Sequence, residues 1–157
     1  MKKIIRFLSV IYLTFIFSNC GLLNTDQNSN AVQPNFTSLY SQYLKNCGDC
    51  HPGRSTASER VPSLDMTTQQ KAFDSLNKIV SIDGKTQCNN VKYINSGHPE
   101  KSLLVAILDE SIRKDFMTAT ASSCDVIYHP NTAGSQTPSA QVLAALKEWI
   151  SKGAANN

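Results

Sequence analysis

Two cysteines and a histidine stand together in the run Cys47–His51, which reads CGDCH. Because Cys47 and Cys50 are three positions apart, a helical turn would present both sulfurs on one face. Two thiols on one face can each add to a vinyl group on the same edge of a flat porphyrin. The imidazole of His51 then follows in a position to bind the iron. The spacing predicts covalent attachment of haem c through Cys47 and Cys50, with His51 as the proximal iron ligand.

Two other kinds of site use a Cys-x-x-Cys pair. A thioredoxin-like redox pair normally follows a strand in a βαβ pattern, and the sequence contains no such pattern. A zinc ribbon needs a second Cys-x-x-Cys or His-x-His pair, which the sequence lacks. Both alternatives therefore have less support than a haem site.

The first residues have the features of an export signal. Three basic residues within the first six positions precede a mostly apolar run from Phe7 to Phe17, which is too short to span a membrane. The run ends near Cys20-Gly21, which resembles the end of a bacterial lipoprotein signal. We predict that residues 1–19 are a signal peptide and that Cys20 carries lipid as the first mature residue. An ordinary cleaved signal and an uncleaved anchor are the alternatives.

The residues after the signal change in composition and charge. Residues 20–35 are mostly Asn, Gln, Ser and Thr without apolar periodicity, which predicts a flexible tether. Residues 1–19 hold three of the 15 basic residues and none of the 12 acidic ones, so the mature chain is neutral. The formal charge of +3 thus belongs to the signal and gives no support for nucleic-acid binding.

Residues 36–154 have helical periodicity, and no segment alternates as a strand would, so we predict one small all-α domain. The first helix follows Asn35 and carries the Cys47–His51 run at its C-terminal end. Three more helices begin near Thr67 or Thr68, at His98-Pro99 and at Thr137-Pro138, and residues 114–136 are expected to be irregular. The predicted buried faces comprise Phe36, Leu39, Tyr40, Tyr43, Leu44 and Cys47; Ala72, Phe73, Leu76, Ile79 and Val80; Leu103, Leu104, Ile107, Leu108 and Ile112; and Val142, Leu143, Leu146, Trp149 and Ile150.

The order of these elements, together with the haem motif, resembles a single-haem class I-type cytochrome c domain, and more narrowly the planctomycete-type cytochrome c-like domains. The resemblance covers about residues 36–154. It is carried by the haem motif, by Leu64-Asp65-Met66, by the segment from Ser96 to Leu104 (SGHPEKSLL) and by the segment from Leu146 to Ala154 (LKEWISKGA). It implies helices wrapped around one haem, with electron transfer as the activity.

The resemblance also implies a sixth iron ligand. In such domains a Met usually approaches the iron from a loop between the third and the last helix, commonly followed by Pro-Pro. Phe116-Met117 lies in that region, followed here by Thr118-Ala119. Met117 is therefore the expected ligand, with His129 or an open position as alternatives. Met66 matches an apolar position of the family and is expected in the core.

Cys88 and Cys124 remain after lipid and haem have been assigned to the other three cysteines. An even pair in an exported protein predicts a disulfide, and two unpaired buried thiols are the alternative. The bond would close a loop that contains Met117.

Three functions are compatible with a haem of this kind. The first is an electron carrier without bond chemistry, anchored by lipid on the periplasmic side of a bacterial membrane or at the cell surface and served by redox partner proteins. The second is a peroxidase-like enzyme with an open iron position, for which His129 and Arg113 are the obvious acid–base and charge-stabilising groups. The third is a lipoprotein whose haem senses or binds a small ligand.

Overall fold

The computed structural model describes residues 31–53, 64–78, 91–119, 128–131 and 135–157. Within these ranges the chain forms helices and turns, and no β-strand is present. An isolated antiparallel bridge joins Pro52 to Asp65. The prediction of an all-α domain is confirmed to this extent.

Five α-helices in the described ranges build the domain. They are α1 (Phe36–Gln42), α2 (Gln69–Leu76), α3 (Leu103–Leu108), α4 (Glu110–Ala119) and α5 (Ala140–Ser151). Three 3-10 turns accompany them, at Leu44–Asp49, Pro99–Lys101 and His129–Asn131.

Side-chain caps fix where three of the helices begin. The side chains of Asn35, Thr68 and Ser139 accept hydrogen bonds from the backbone N–H groups three residues later, at the starts of α1, α2 and α5. Such caps satisfy donors that a helix leaves without partners. Asn35 and Thr68 confirm the predicted starts, whereas α5 begins after Ser139 rather than at Thr137-Pro138.

The first predicted helix is divided in two. The α-helix ends at Gln42, and Tyr43 has φ −139° and ψ −59°, outside the helical range. The chain then continues as the 3-10 turn Leu44–Asp49, which carries Cys47. The phenol of Tyr43 is buried and donates a hydrogen bond to the Gln136 carbonyl, so a long-range contact is made at this break.

The third predicted helix is also interrupted, and the helical structure extends further than expected. Asp109 has an extended backbone, and its Oδ1 accepts a hydrogen bond from the Ser111 N–H at 2.9 Å, so it caps the start of α4. Helix α4 runs to Ala119, and the prediction of irregular structure is therefore wrong for residues 114–119. Ile112 and buried Phe116, four positions apart, carry the apolar contacts of this helix.

Aromatic side chains join the two ends of the domain. The Phe36 ring lies 5.2 Å from the Trp149 ring and 5.2 Å from the Phe73 ring, so α1 contacts both α5 and α2. The indole N–H of Trp149 donates a hydrogen bond to the Ala155 carbonyl at 2.8 Å. Leu44 and Cys47, on the 3-10 turn that follows α1, form part of the wall of a cleft.

Candidate functional site

A cleft with mostly apolar walls lies beside the Cys47–His51 run. Its empty space is about 380 Å³, a figure that includes the part open to solvent. Cys47, His51, Tyr93 and His129 are the lining residues with polar or sulfhydryl groups. The remaining walls are formed by Leu44, Leu64, Met66, Leu76, Leu104, Ile107 and Leu108.

Cys47 lies on the 3-10 turn Leu44–Asp49, and Cys50, three positions later, is the residue at which the turn ends. That both sulfurs project from one face stays a prediction. The Cys47 carbonyl accepts hydrogen bonds from the N–H groups of Cys50 (3.2 Å) and His51 (2.9 Å). These two hydrogen bonds close a backbone turn that contains Cys47, Cys50 and His51.

The thiols differ in their surroundings. Cys47 is partly buried and lines the cleft, whereas Cys50 is exposed and is not among the lining residues. Burial raises the pKa of the Cys47 thiol to about 11, and the nearby Cys50 adds to the shift. Cys47 is therefore a neutral thiol at pH 7.

The segment that carries Met66 holds the backbone of His51. The Met66 N–H donates to the His51 carbonyl at 2.8 Å, and Pro52 forms the isolated bridge with Asp65. Tyr40 completes the connection, because its hydroxyl donates to the Met66 carbonyl at 3.2 Å. Met66 is 1% exposed, which agrees with its predicted place in the core, and it also lines the cleft.

His129 is the second imidazole of the cleft. Its ring centroid lies 6.1 Å from that of His51, and the two ring planes differ by 28°. Burial lowers the pKa of His129, which favours the neutral ring with a free lone pair. The sequence had offered His129 only as an alternative ligand, since no periodic pattern relates residue 129 to residue 51.

Tyr93 is a cleft residue that the sequence analysis did not identify. It is 4% exposed, and its hydroxyl has no hydrogen-bond partner among the residues that the structure describes. Burial raises its pKa to about 12, so the hydroxyl stays protonated and can donate. A buried donor of this kind suits a ligand with an acceptor group. A single tyrosine in a non-helical segment gives no signal that could have identified it.

Met117 lies on α4 and is not among the cleft-lining residues. It is partly buried against the core, and the Arg113 guanidinium approaches its sulfur at 3.7 Å. Arg113 also forms a two-pronged ion pair with Glu110, at 2.7 and 3.1 Å. The structure thus brings Cys47, His51 and His129 to one cleft, and places Met117 and Arg113 together on a neighbouring helix.

Three predicted site residues lie outside the described ranges, as do Ile79 and Val80 of the second predicted buried face. The three site residues are the lipidation site Cys20 and the disulfide pair Cys88 and Cys124. The predicted signal peptide and most of the tether lie there too. In the described part of the chain, no helix is both long enough and apolar enough to cross a membrane.

The donor set fits a haem better than a bare metal ion. Within the described ranges, no group of three or more His, Cys, Asp or Glu side chains is arranged to hold a metal ion. A porphyrin supplies four nitrogen ligands itself, so the protein has to provide only one or two more. Apolar walls, the Cys47 thiol and the His51 imidazole are groups that could hold such a ligand, and the Tyr93 hydroxyl could donate to it.

Comparisons of the chain with models of protein families, with curated proteins and with solved structures found no match.

Proposed function

We propose that this protein is an exported, membrane-anchored c-type cytochrome, which passes single electrons through one covalently bound haem. One observation carries the proposal: Cys47 and His51 of a Cys-x-x-Cys-His motif line an apolar cleft. A haem in this cleft would supply the iron that His51 is predicted to bind. A cytochrome c-like arrangement of helices around that haem belongs to the same proposal.

Cys47 and Cys50 would hold the cofactor by two thioether bonds. Each bond forms by addition of S–H across a vinyl C=C: the sulfur bonds to one carbon and the hydrogen goes to the other. Neither oxidant nor reductant is consumed. The three-residue spacing of the two cysteines supports attachment of both sulfurs to one edge of a flat ring.

His51 would bind the iron, which supplies a one-electron ferric/ferrous couple when haem is present. The hydrogen bond from the Met66 N–H fixes the His51 backbone, and the aliphatic walls would limit the access of water to a bound haem. Exclusion of water disfavours the more highly charged ferric form and so raises the reduction potential. For the sixth ligand, the family resemblance predicts Met117, with His129 or an open position as alternatives.

Lipid on Cys20 would anchor the domain to a membrane on the periplasmic side or at the cell surface, where redox partner proteins could reach it. A fatty-acid analogue supplied in the growth medium should label the wild type and leave Cys20→Ala unlabelled. A soluble, unlabelled wild type would contradict the anchor and would leave the haem proposal intact.

The peroxidase-like alternative has less support from the arrangement of side chains. A peroxidase needs an acid–base group and a charge stabiliser on the same side of the iron. His129 lines the cleft, but Arg113 is paired with Glu110 on α4 and is not a lining residue. A ligand-sensing haem protein would bind the same cofactor as an electron carrier. Carbon monoxide binding distinguishes the two, because a sensor has an open iron position.

Covalent attachment is tested by producing the full chain in a bacterium that matures c-type cytochromes. Denatured wild type should keep its haem on a gel stained for peroxidase activity, and Cys47→Ser combined with Cys50→Ser should lose it. The matched control is Cys88→Ser combined with Cys124→Ser, which should still carry haem. Haem retained by the first double variant would overturn the proposal. If the reduced wild type binds carbon monoxide readily, the result would favour the peroxidase-like enzyme or the ligand sensor over the electron carrier.

A further inference from the structure

The cleft contains two imidazole rings at a separation that a shared metal would require. Two imidazoles on opposite sides of one iron, with metal–nitrogen bonds of about 2 Å, have ring centroids roughly 6 Å apart. The observed separation of His51 and His129 is 6.1 Å.

The segment that carries His129 is connected to the turn that carries Cys47. The Ser135 hydroxyl donates to the His129 carbonyl. One residue later, the Gln136 carbonyl accepts from the Tyr43 hydroxyl at 2.8 Å, and the Gln136 Oε1 accepts from the Asn46 amide at 2.9 Å. Tyr43 immediately precedes the 3-10 turn, and Asn46 lies within it. The second imidazole is thus positioned by the same turn that presents the haem thiol.

The other sulfur donors near the cleft are less suited to the position opposite His51. Met117 lies on α4, outside the cleft lining, with its sulfur near the Arg113 guanidinium. Met66 does line the cleft, but its N–H is bonded to the His51 carbonyl, which places its backbone beside His51 rather than across from it. His129 lines the cleft and carries an imidazole nitrogen donor, and its ring centroid lies 6.1 Å from that of His51.

We propose that His129, in place of Met117, is the second axial ligand of the iron, so that His51 and His129 bind it from opposite sides. This inference rests on the proposed function, because it requires a haem in the cleft. Two imidazoles stabilise ferric iron more than an imidazole and a thioether do. The reduction potential is therefore expected to be lower than that of a His/Met cytochrome.

The test uses the full chain matured with haem, its ferric near-infrared and electron paramagnetic resonance spectra, and a potentiometric titration. Wild type should give the signals of two axial imidazoles and should lack the sulfur-to-iron band. His129→Met should gain that band and shift the potential upward. His129→Ala should bind carbon monoxide when reduced, which wild type should not. Met117→Leu, the matched control of similar volume, should leave the spectra and the potential unchanged.

The outcomes separate this inference from the proposed function. A sulfur-to-iron band in wild type that disappears in Met117→Leu would overturn His129 as the ligand and leave the cytochrome proposal standing. Carbon monoxide binding by wild type would overturn the second axial ligand in the same way. Wild type without covalent haem would overturn both. If His129→Ala does not fold, the wild-type spectrum and His129→Met still decide the question.

Discussion

Gly53 and Asp65 approach each other so closely that a side chain at residue 53 has no room. A β-carbon built on Gly53 would lie 2.6 Å from the Asp65 β-carbon, and Gly53 has a positive φ of +71°. The contact lies next to the bridge between Pro52 and Asp65, two residues after His51. The path of the chain on leaving the haem motif therefore depends on glycine.

Gly53→Ala should lower the free energy of unfolding by about 2–4 kcal/mol, because left-handed backbone strain and a steric clash add together. Gly97→Ala is the control. Gly97 also has a positive φ, +81°, but among the described residues no atom beyond its chain neighbours lies within 4 Å of its added β-carbon. Gly97→Ala should therefore lower the free energy of unfolding by only about 1–2 kcal/mol. If urea unfolding shows the same loss of free energy for both variants, the contact with Asp65 has no effect on stability.

The Asp65 carboxylate should make stability depend on pH below 4. The hydroxyl and the N–H of Thr67 donate to this carboxylate and, with Lys71, hold its pKa down at about 2. An unfolded Asp has a pKa of about 3.9, so the stabilisation is complete above that pH and is lost as the pH falls toward 2. Asp65→Asn should reduce stability at pH 7 and flatten the dependence between pH 4 and 2.

A carboxyl titration followed by NMR measures the same effect directly. Thr67→Val removes the hydroxyl donor and should raise the pKa of Asp65. An unchanged pKa in that variant would contradict the role of Thr67.

Tyr43→Phe should lower the free energy of unfolding by about 1–2 kcal/mol, because it leaves the Gln136 carbonyl without its buried donor. Asn46→Ala removes the exposed hydrogen bond to the same residue and should cost less than about 0.5 kcal/mol. Urea unfolding measures both. A larger loss for Asn46→Ala would mean that the exposed link, and not the buried one, holds the segment after His129.

Tyr93→Phe should have opposite effects with and without haem. In the haem-free background Cys47→Ser/Cys50→Ser, removal of a buried hydroxyl that lacks a partner in the described residues should be neutral or stabilising by up to about 1 kcal/mol. In the haem-loaded protein the same change should destabilise by about 1 kcal/mol if the hydroxyl donates to the ligand. Thermal unfolding of the four proteins tests this, and destabilisation in the haem-free background would contradict it.

The helices that the sequence predicted best are those with local signals. Asn35 and Thr68 cap helices whose apolar residues recur with helical spacing, and both starts were predicted. The break at Tyr43 was not predicted, because the apolar stripe continues through it and only the distant Gln136 carbonyl explains the contact there. Helix α4 was missed beyond residue 113, since polar residues outnumber its two anchors, Ile112 and Phe116.

The residues of the candidate site also differ in whether a local sequence pattern predicts them. Cys47, Cys50 and His51 are adjacent in sequence, so their spacing alone predicts their chemistry. His129 and Tyr93 reach the cleft only through folding, and no local pattern relates either one to residue 51. The choice of Met117 over His129 followed a family pattern, and the spatial arrangement gives a physical reason to prefer His129.

The unequal access to the two thiols has a consequence for the timing of maturation. In the folded chain Cys50 is exposed, while Cys47 is partly buried and its pKa is raised to about 11. Brief alkylation of haem-free protein should therefore modify Cys50 before Cys47, as mass spectrometry of the peptides would show. If haem were delivered to an already folded chain, one exposed thiol, that of Cys50, would be accessible to it rather than two. We expect both thioethers to form efficiently only while the chain is still open, so that attachment precedes closure of the cleft.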